Sequence, residues 1–265
     1  MTLFQIVISA IVQGITEFLP ISSSSHLLLT SRIIGSPAQD LLIGIAIGAG
    51  ALLAVMVYFW RDLWDVIVGA AGLFAGRRGP GLRLLLHLLV ATIPVILVGY
   101  FGLRYIDAVF AHAQVIAWTT LIFGVLLGLV DRLCMTVRRI EHMNYAGALF
   151  VGFVQVLALI PGTSRAGITI TACRVLGMER RDSARFSALL AIPAILGAAT
   201  LAGLELYRSG APALRPEAAL AAALSFLAAF IALALMMRWL LHATFTPFVV
   251  YRVALGAGLL YWAYS

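Results

Sequence analysis

The sequence predicts an all-α polytopic membrane protein of six transmembrane helices and two re-entrant broken-helix hairpins, arranged as an inverted-topology repeat. Three observations lead there. The 265 residues are 63% hydrophobic and 11% charged, with a mean hydropathy of +1.05, which excludes a soluble globular domain. Six apolar stretches qualify for, or come close to, the roughly 20 residues a helix needs to cross the hydrocarbon core. Two further apolar stretches run into Pro, Gly and Ser midway, as a helix does when it enters the membrane, breaks and returns.

In chain order, the first broken stretch covers 3–21 and runs into "FLPISSSSH". It lacks a basic lead-in and a small-residue cleavage site, so it is expected to stay rather than be removed as a signal peptide. Crossings follow at 41–60, 84–103 and 113–130, while 62–76 is too short and interrupted to cross and reads as an interfacial helix and loop. The second broken stretch, 146–161, runs into "LIPGTSRAG" and is followed by crossings at 184–206, 218–241 and 246–264. Within a single membrane domain, 1–265, each half (about 1–135 and 140–265) is thus one hairpin and three crossings. An odd number of crossings inverts the second half. The echo of "IVQGITEFLPISSSS" in "FVQVLALIPGTSR" supports duplication, since each has a Gln, an apolar turn and a Pro before a polar tip. Inverted repeats with broken helices place the functional site near the midplane, where the breaks meet. Non-helical backbone at that depth must be buried by protein or line water, so the two tips are expected to share a hydrated cavity.

Charge sets the orientation. All 18 basic residues are arginine, giving a formal net charge of +7, and in a membrane protein that excess is a topology signal rather than a sign of nucleic-acid binding. If the first hairpin dips in from outside and the second from inside, twelve arginines fall inside and four outside (Arg32, Arg104, Arg208, Arg215), with Arg165 and Arg252 at membrane depth. Both termini then lie outside and the tips open toward the outer face. The turn "MERRDSARFSALLAIP", 178–193, is expected to carry solvated, topogenic charges. Arg252 has no evident partner. Cys134 and Cys173 sit in no CxxC or Cys/His cluster and read as small apolar fillers, not as a disulfide framework or zinc site.

The polar groups of the two tips are the candidate site. Gln13 and Glu17 are four residues apart and share a helix face. An intramembrane carboxylate suggests function, and the pair suits oxygen ligation of Mg²⁺ or Ca²⁺, with acid–base work by Glu17 as the alternative. The run Ser22 to Ser25 is a turn or a cap for a helix resuming at His26, and its hydroxyls, Ser22 and Ser24 among them, can also meet an anion at a helix N-terminus. His26 follows Ser23 by three residues, so either Ser23 is a nucleophile with His26 as base, or His26 itself attacks or shuttles protons. In the second tip, Gly162 permits close backbone approach, Thr163 and Ser164 offer hydroxyls, and Arg165 brings a fork suited to phosphate. A purely structural Arg165–Glu17 pair across the halves is the competing reading. No GxxxxGK[ST] loop occurs.

These motifs carry a family resemblance. "QGITEFLPISSSSH" at 13–26, "PGTSRAG" at 161–167 and "ARFSALLAIPAILGA" at 184–198 resemble the bacterial undecaprenyl pyrophosphate phosphatases of the bacitracin-resistance type, and the likeness covers essentially the whole chain. It departs from the family at Gln13, where relatives often have Glu; at Ala166, often Ser; and near Gly48, where a Gln is expected. The resemblance implies hydrolysis of the terminal phosphate of undecaprenyl diphosphate in the bacterial cytoplasmic (inner) membrane, recycling the lipid carrier of cell-wall precursors. The implied partners are the prenyl diphosphate and membrane lipids, and a homodimer is left open. The rival from another class is a lipid-phosphate flippase or transporter, which shares this architecture but has little need of both a nucleophile and a base.

Overall fold

The computed structural model of the protein describes residues 1–35, 40–74, 76, 79–110, 112–208 and 215–265, without the side chains of 74 and 103–109. Of the arginines used for topology, Arg77, Arg78 and the side chain of Arg104 lie outside the described residues.

Eleven helices are formed by the described residues: α1 (Leu3–Phe18), α2 (Ser23–Ile33), α3 (Leu41–Tyr58), α4 (Trp60–Phe74), α5 (Pro80–Phe110), α6 (Ala113–Leu133), α7 (Tyr145–Gln155), α8 (Arg165–Val175), α9 (Arg180–Arg208), α10 (Pro216–Trp239) and α11 (Thr246–Tyr264). Five are long and apolar enough to cross a membrane: α3, α5 over Pro80–Gly102, α6, α9 and α10. The sixth expected crossing is α11, whose 19 residues reach about 28 Å at ~1.5 Å per residue. Local chemistry fixes several starts. Thr2 and Gln5 form a capping box on α1, the Asp40 carboxylate accepts from Leu42 N on α3, and Pro216 opens α10 with its φ already helical. Large apolar side chains such as Leu53, Phe101, Leu129 and Leu235 stay on the outside, where a bilayer rather than water is their natural solvent.

The packing repeats itself. α1 and α3 both lie against α10, while α7 and α9 both lie against α5; α3 meets α9, and α6 meets α11. Exchanging α1, α3, α5 and α6 for α7, α9, α10 and α11 maps these neighbours onto themselves, as a two-fold repeat requires. The corresponding crossings α1–α10 and α7–α5 each depend on a glycine. A Cβ on Gly14 would lie 2.7 Å from Ser225 O, and one on Gly152 would lie 2.6 Å from Ala91 O. α4 has no counterpart; it follows α3 directly and packs on α5, matching the interfacial helix expected at 62–76.

At one end of the bundle, charges are organised in a way the sequence reading did not anticipate. Asp131 on α6 accepts from Arg174 Nε at 3.1 Å, from Arg180 Nε at 2.8 Å and from Phe245 N at 3.3 Å. Arg174 is fully buried and also donates to the carbonyls of Met135, Cys134 and Met178. Arg185 pairs with Asp62 of α4, and Asp182 accepts from Ile140 N at 2.9 Å. The turn at 178–193 is therefore not a solvated patch, and of its paired arginines and their neighbour only Arg181 stays exposed. The physical reason is that the start of α9 lies within reach of Asp131 on α6, Asp62 on α4 and the 140–142 turn, so its charges find partners in the protein.

Removing one member of a buried pair leaves the other uncompensated, at a cost of about 3–5 kcal/mol. Asp131→Ala is therefore expected to lower the thermal unfolding midpoint in detergent strongly. Arg139→Ala, which breaks the exposed pair with Glu179, should change stability by under about 1 kcal/mol.

Candidate active site

Two helix breaks build the site. α1 stops at Phe18 and α2 starts at Ser23; α7 tightens into a 3₁₀ turn, Val156–Leu159, and α8 starts at Arg165. Pro20 and Pro161 stand in the gaps, where a missing N–H and a fixed φ end helical pairing. Each gap closes on a serine with positive φ, Ser22 at 73° and Ser164 at 68°, the only such non-glycine residues among those described. Each serine immediately precedes an 11-residue helix. Such backbone costs on the order of 1–3 kcal/mol per residue and persists only where surrounding contacts dictate it. The first helix resumes three residues before the expected position. Ser23 to Ser25 belong to the first turn of α2, and the Ser22 hydroxyl makes no capping bond, instead meeting Ser25 Oγ at 2.8 Å and Ser24 Oγ at 3.3 Å.

The tips touch. Gly162 N donates to Ser24 Oγ at 2.8 Å, and Arg165 Nη2 donates to Glu17 Oε1 at 3.0 Å. Both charged side chains keep under a fifth of their surface open, 17% for Arg165 and 19% for Glu17. α6 supports the junction from behind. Thr119 Oγ1 donates to Pro161 O at 2.6 Å, and Thr120 Oγ1 meets Ser25 Oγ at 2.5 Å and Gly162 O at 3.3 Å. Arg252 of α11, fully buried, donates from Nη2 to Gly162 O at 3.2 Å and Thr163 O at 2.8 Å, and from Nε to Thr120 O at 3.2 Å. Arg252 thus holds the loop carbonyls on this side, while at the start of α8 the Ser164 hydroxyl caps the helix by accepting from Gly167 N at 3.1 Å.

His26 is held at both ring nitrogens. Nδ1 lies 2.7 Å from Ser22 O; a carbonyl only accepts, so Nδ1 carries the proton. Nε2 lies 2.7 Å from the Tyr251 hydroxyl. Ser23 Oγ instead donates to Thr16 O at 3.1 Å, so the Ser23–His26 pairing allowed by the sequence spacing is not formed. Ser22 and Thr163 are completely buried, leaving Ser23, Ser24 and Ser164 as the partly accessible hydroxyls of the tips.

Gln13 sits one turn before Glu17 on α1. Among the described residues no group of three or more His, Cys, Asp or Glu could hold a metal ion. Glu17 is already paired with Arg165, so Gln13 and Glu17 do not form a protein cage for an ion.

The structure thus joins Glu17, Ser24, Gly162 and Arg165 directly and places His26 on the same first turn of α2. Sequence reasoning missed Thr119, Thr120 and Tyr251, which carry no pattern of their own. Arg252 was signalled only by its charge at membrane depth.

The fold defines a polytopic membrane protein in which two broken hairpins meet tip to tip. The chain belongs to the family described as bacitracin resistance protein BacA, whose profile matches residues 6–258. Over 100% of its length it is 49% identical to undecaprenyl-diphosphatase 1 of Rhodospirillum rubrum, covering 96% of that protein. It is 46% identical to the undecaprenyl-diphosphatase of Ruegeria pomeroyi and 42% identical to that of Alteromonas mediterranea, with 100% of each chain covered.

Gly162 combines a φ of +92° with a backbone so close that a Cβ would lie 2.0 Å from Thr119 Oγ1. Gly162→Ala should cost at least ~2 kcal/mol of stability from backbone strain and overlap, read as a lowered unfolding midpoint. Gly48→Ala, inside α3 and with nothing within 4 Å of the new methyl, should not lower the midpoint and is expected to raise it slightly, since Ala is the better helix former.

Proposed function

We propose that this protein hydrolyses undecaprenyl diphosphate to undecaprenyl phosphate and inorganic phosphate. The observation that carries this reading is the junction of the two tips. A permanently charged guanidinium, its carboxylate partner and the N-terminus of α8 meet the serine turn that bears a tautomerically defined histidine. Phosphoryl transfer is mostly positioning and charge stabilisation, and the junction supplies both.

Arg165, with Ser164 and the N–H groups at the start of α8, binds the terminal phosphate and stabilises the charge on its equatorial oxygens. His26 Nε2 attacks the terminal phosphorus. The bond from that phosphorus to the bridging oxygen breaks, and its electron pair leaves with undecaprenyl phosphate. Nδ1 keeps its proton, held by Ser22 O, so the phosphorylated ring is stabilised as a cation by that carbonyl. Water then displaces His26 and yields inorganic phosphate, with Glu17 accepting the water's proton. In the alternative arrangement, in which Glu17 is not the base, Gln13 and Glu17 would hold a divalent ion, which when bound supplies further charge neutralisation on the phosphates. His26 is favoured over Ser23 as nucleophile because Ser23 has no base in hydrogen-bond contact among the described residues.

A groove of about 1170 Å³ between α1, α10 and α11, lined by Ile11, Ile15, Leu235, Trp239 and Phe248 among others, suits a prenyl chain. The excess of arginines on the loops assigned inside supports an inner-membrane placement with the tips opening to the outer face. A lipid transporter would need the Arg165 cradle but not a histidine with one nitrogen protonated and the other presented as an acceptor.

Purified protein in detergent is expected to release phosphate from undecaprenyl diphosphate, with Arg165→Ala, Glu17→Ala and His26→Ala each slowing turnover by roughly 10²–10³-fold or more. An alkaline denaturing quench should trap a base-stable, acid-labile phosphoryl group that persists in Ser23→Ala and vanishes in His26→Ala. Wild-type binding without turnover would overturn the reading in favour of transport. For orientation, a cysteine at exposed Ser265 in a Cys134→Ser background should react with an impermeant maleimide on intact cells. Reaction only after permeabilisation would contradict the outward placement.

A further inference from the structure

We propose that Tyr251 is a positioning residue of the reaction, holding the attacking nitrogen of His26 with its hydroxyl and joining that nitrogen to the apolar groove. This rests on the hydrolase reading above. Two independent contacts fix the geometry. The hydroxyl lies 2.7 Å from Nε2, and the two rings are stacked with centroids 5.5 Å apart and planes 10° from parallel. Because Nδ1 is committed as a donor to Ser22 O, a neutral ring has its lone pair on Nε2, and only an O–H or N–H donor can occupy it. Tyr251 supplies that donor. Together, Ser22 O and the phenol fix the tautomer and the ring plane before reaction, and the phenol gives up the Nε2 lone pair as the phosphorus arrives, so the ring is already set in attacking geometry.

No charged neighbour can take over the task. On the elements around His26, Glu17 and Arg165 hold each other, Arg252 is fully buried with Nε and Nη2 on the carbonyls of Thr120, Gly162 and Thr163 and Nη1 left without a partner, and Arg32 lies over the Trp262 ring. Consecutive residues of α11 thus grip opposite tips, Tyr251 the first through His26 and Arg252 the second through its loop carbonyls. Seating α11 on α6 therefore sets both halves of the site at once.

Tyr251 also faces apolar space. With Trp239, Pro247, Val250 and Ala254 it lines a cleft of about 780 Å³, which shares Trp239, Ala243 and Pro247 with the larger groove along α1 and α10. A prenyl chain lying there would run past the residue that steadies the nucleophile.

The test is Tyr251→Phe, which keeps the ring and its stacking and removes only the hydroxyl. Two readouts are compared with wild type: steady-state phosphate release from undecaprenyl diphosphate, and the ¹⁵N resonance of His26 Nε2. The expected result is a fall of about tenfold in kcat, the effect of losing one hydrogen bond, with KM within about a factor of two. The Nε2 resonance should move downfield, toward that of a lone pair without a donor. Wild-type kcat together with an unmoved resonance would overturn the proposal. If wild type itself releases no phosphate while the resonance still moves in Tyr251→Phe, the hydrolase reading fails and the grip on Nε2 stands.

Discussion

Two breaks in the helical backbone, placed where lipid offers no hydrogen bonds, must be satisfied by the protein itself. The rest of the structure follows from how that is done. Ser24 accepts from the second tip's Gly162, Thr119 donates to Pro161, and Arg252 takes up the carbonyls of Gly162 and Thr163. Each tip is thus completed by something outside itself, and neither could hold its strained serine alone. The same contacts bring the partly accessible hydroxyls of Ser23, Ser24 and Ser164 and the Arg165 guanidinium to one junction, so satisfying the backbone and building the proposed anion site are a single arrangement.

The arginines divide the labour by depth. Arg165 faces the partly open junction and is balanced by Glu17. Arg252 is buried behind it and is met by carbonyl dipoles rather than by a carboxylate. Arg174, Arg180 and Arg185 anchor the far end of α8 and the start of α9 to Asp131 and Asp62, which holds the second hairpin rigid as Arg165 projects from its tip. The repeat is used asymmetrically. Gln13 shares its helix face with Glu17 at the junction, whereas its echo Gln155 is buried and reaches Ala91 O at 3.5 Å. In the proposed reaction, one tip carries the reacting groups and the other the grip on phosphate.

Much of this was legible in the sequence, because it rests on patterns that sequence displays. Apolar runs interrupted by "FLPISSSSH" and "PGTSRAG" marked the breaks, and the Arg165–Glu17 pair that stood as the competing, structural reading of Arg165 is the one the structure closes at 3.0 Å. The start of α2 was misplaced because a serine run reads as a turn until tertiary contacts fix Ser22 in its unusual conformation. The ion pairs of the 178–193 turn were unreadable because Asp62 and Asp131 lie far away in the chain and meet those arginines only through packing. Thr119, Thr120 and Tyr251 are ordinary residues of apolar helices, and their roles come from the neighbours to which α6 and α11 bring them.

The central claim is that the two tips form one site acting on one diphosphate. It is tested most directly by an experimental structure with a methylene-bridged, non-hydrolysable analogue of undecaprenyl diphosphate. The account predicts a terminal phosphorus within about 3–3.5 Å of His26 Nε2, the near-attack range, with its oxygens bonded to Arg165 and the first N–H groups of α8. A headgroup bound to one tip alone, or away from both, would contradict it.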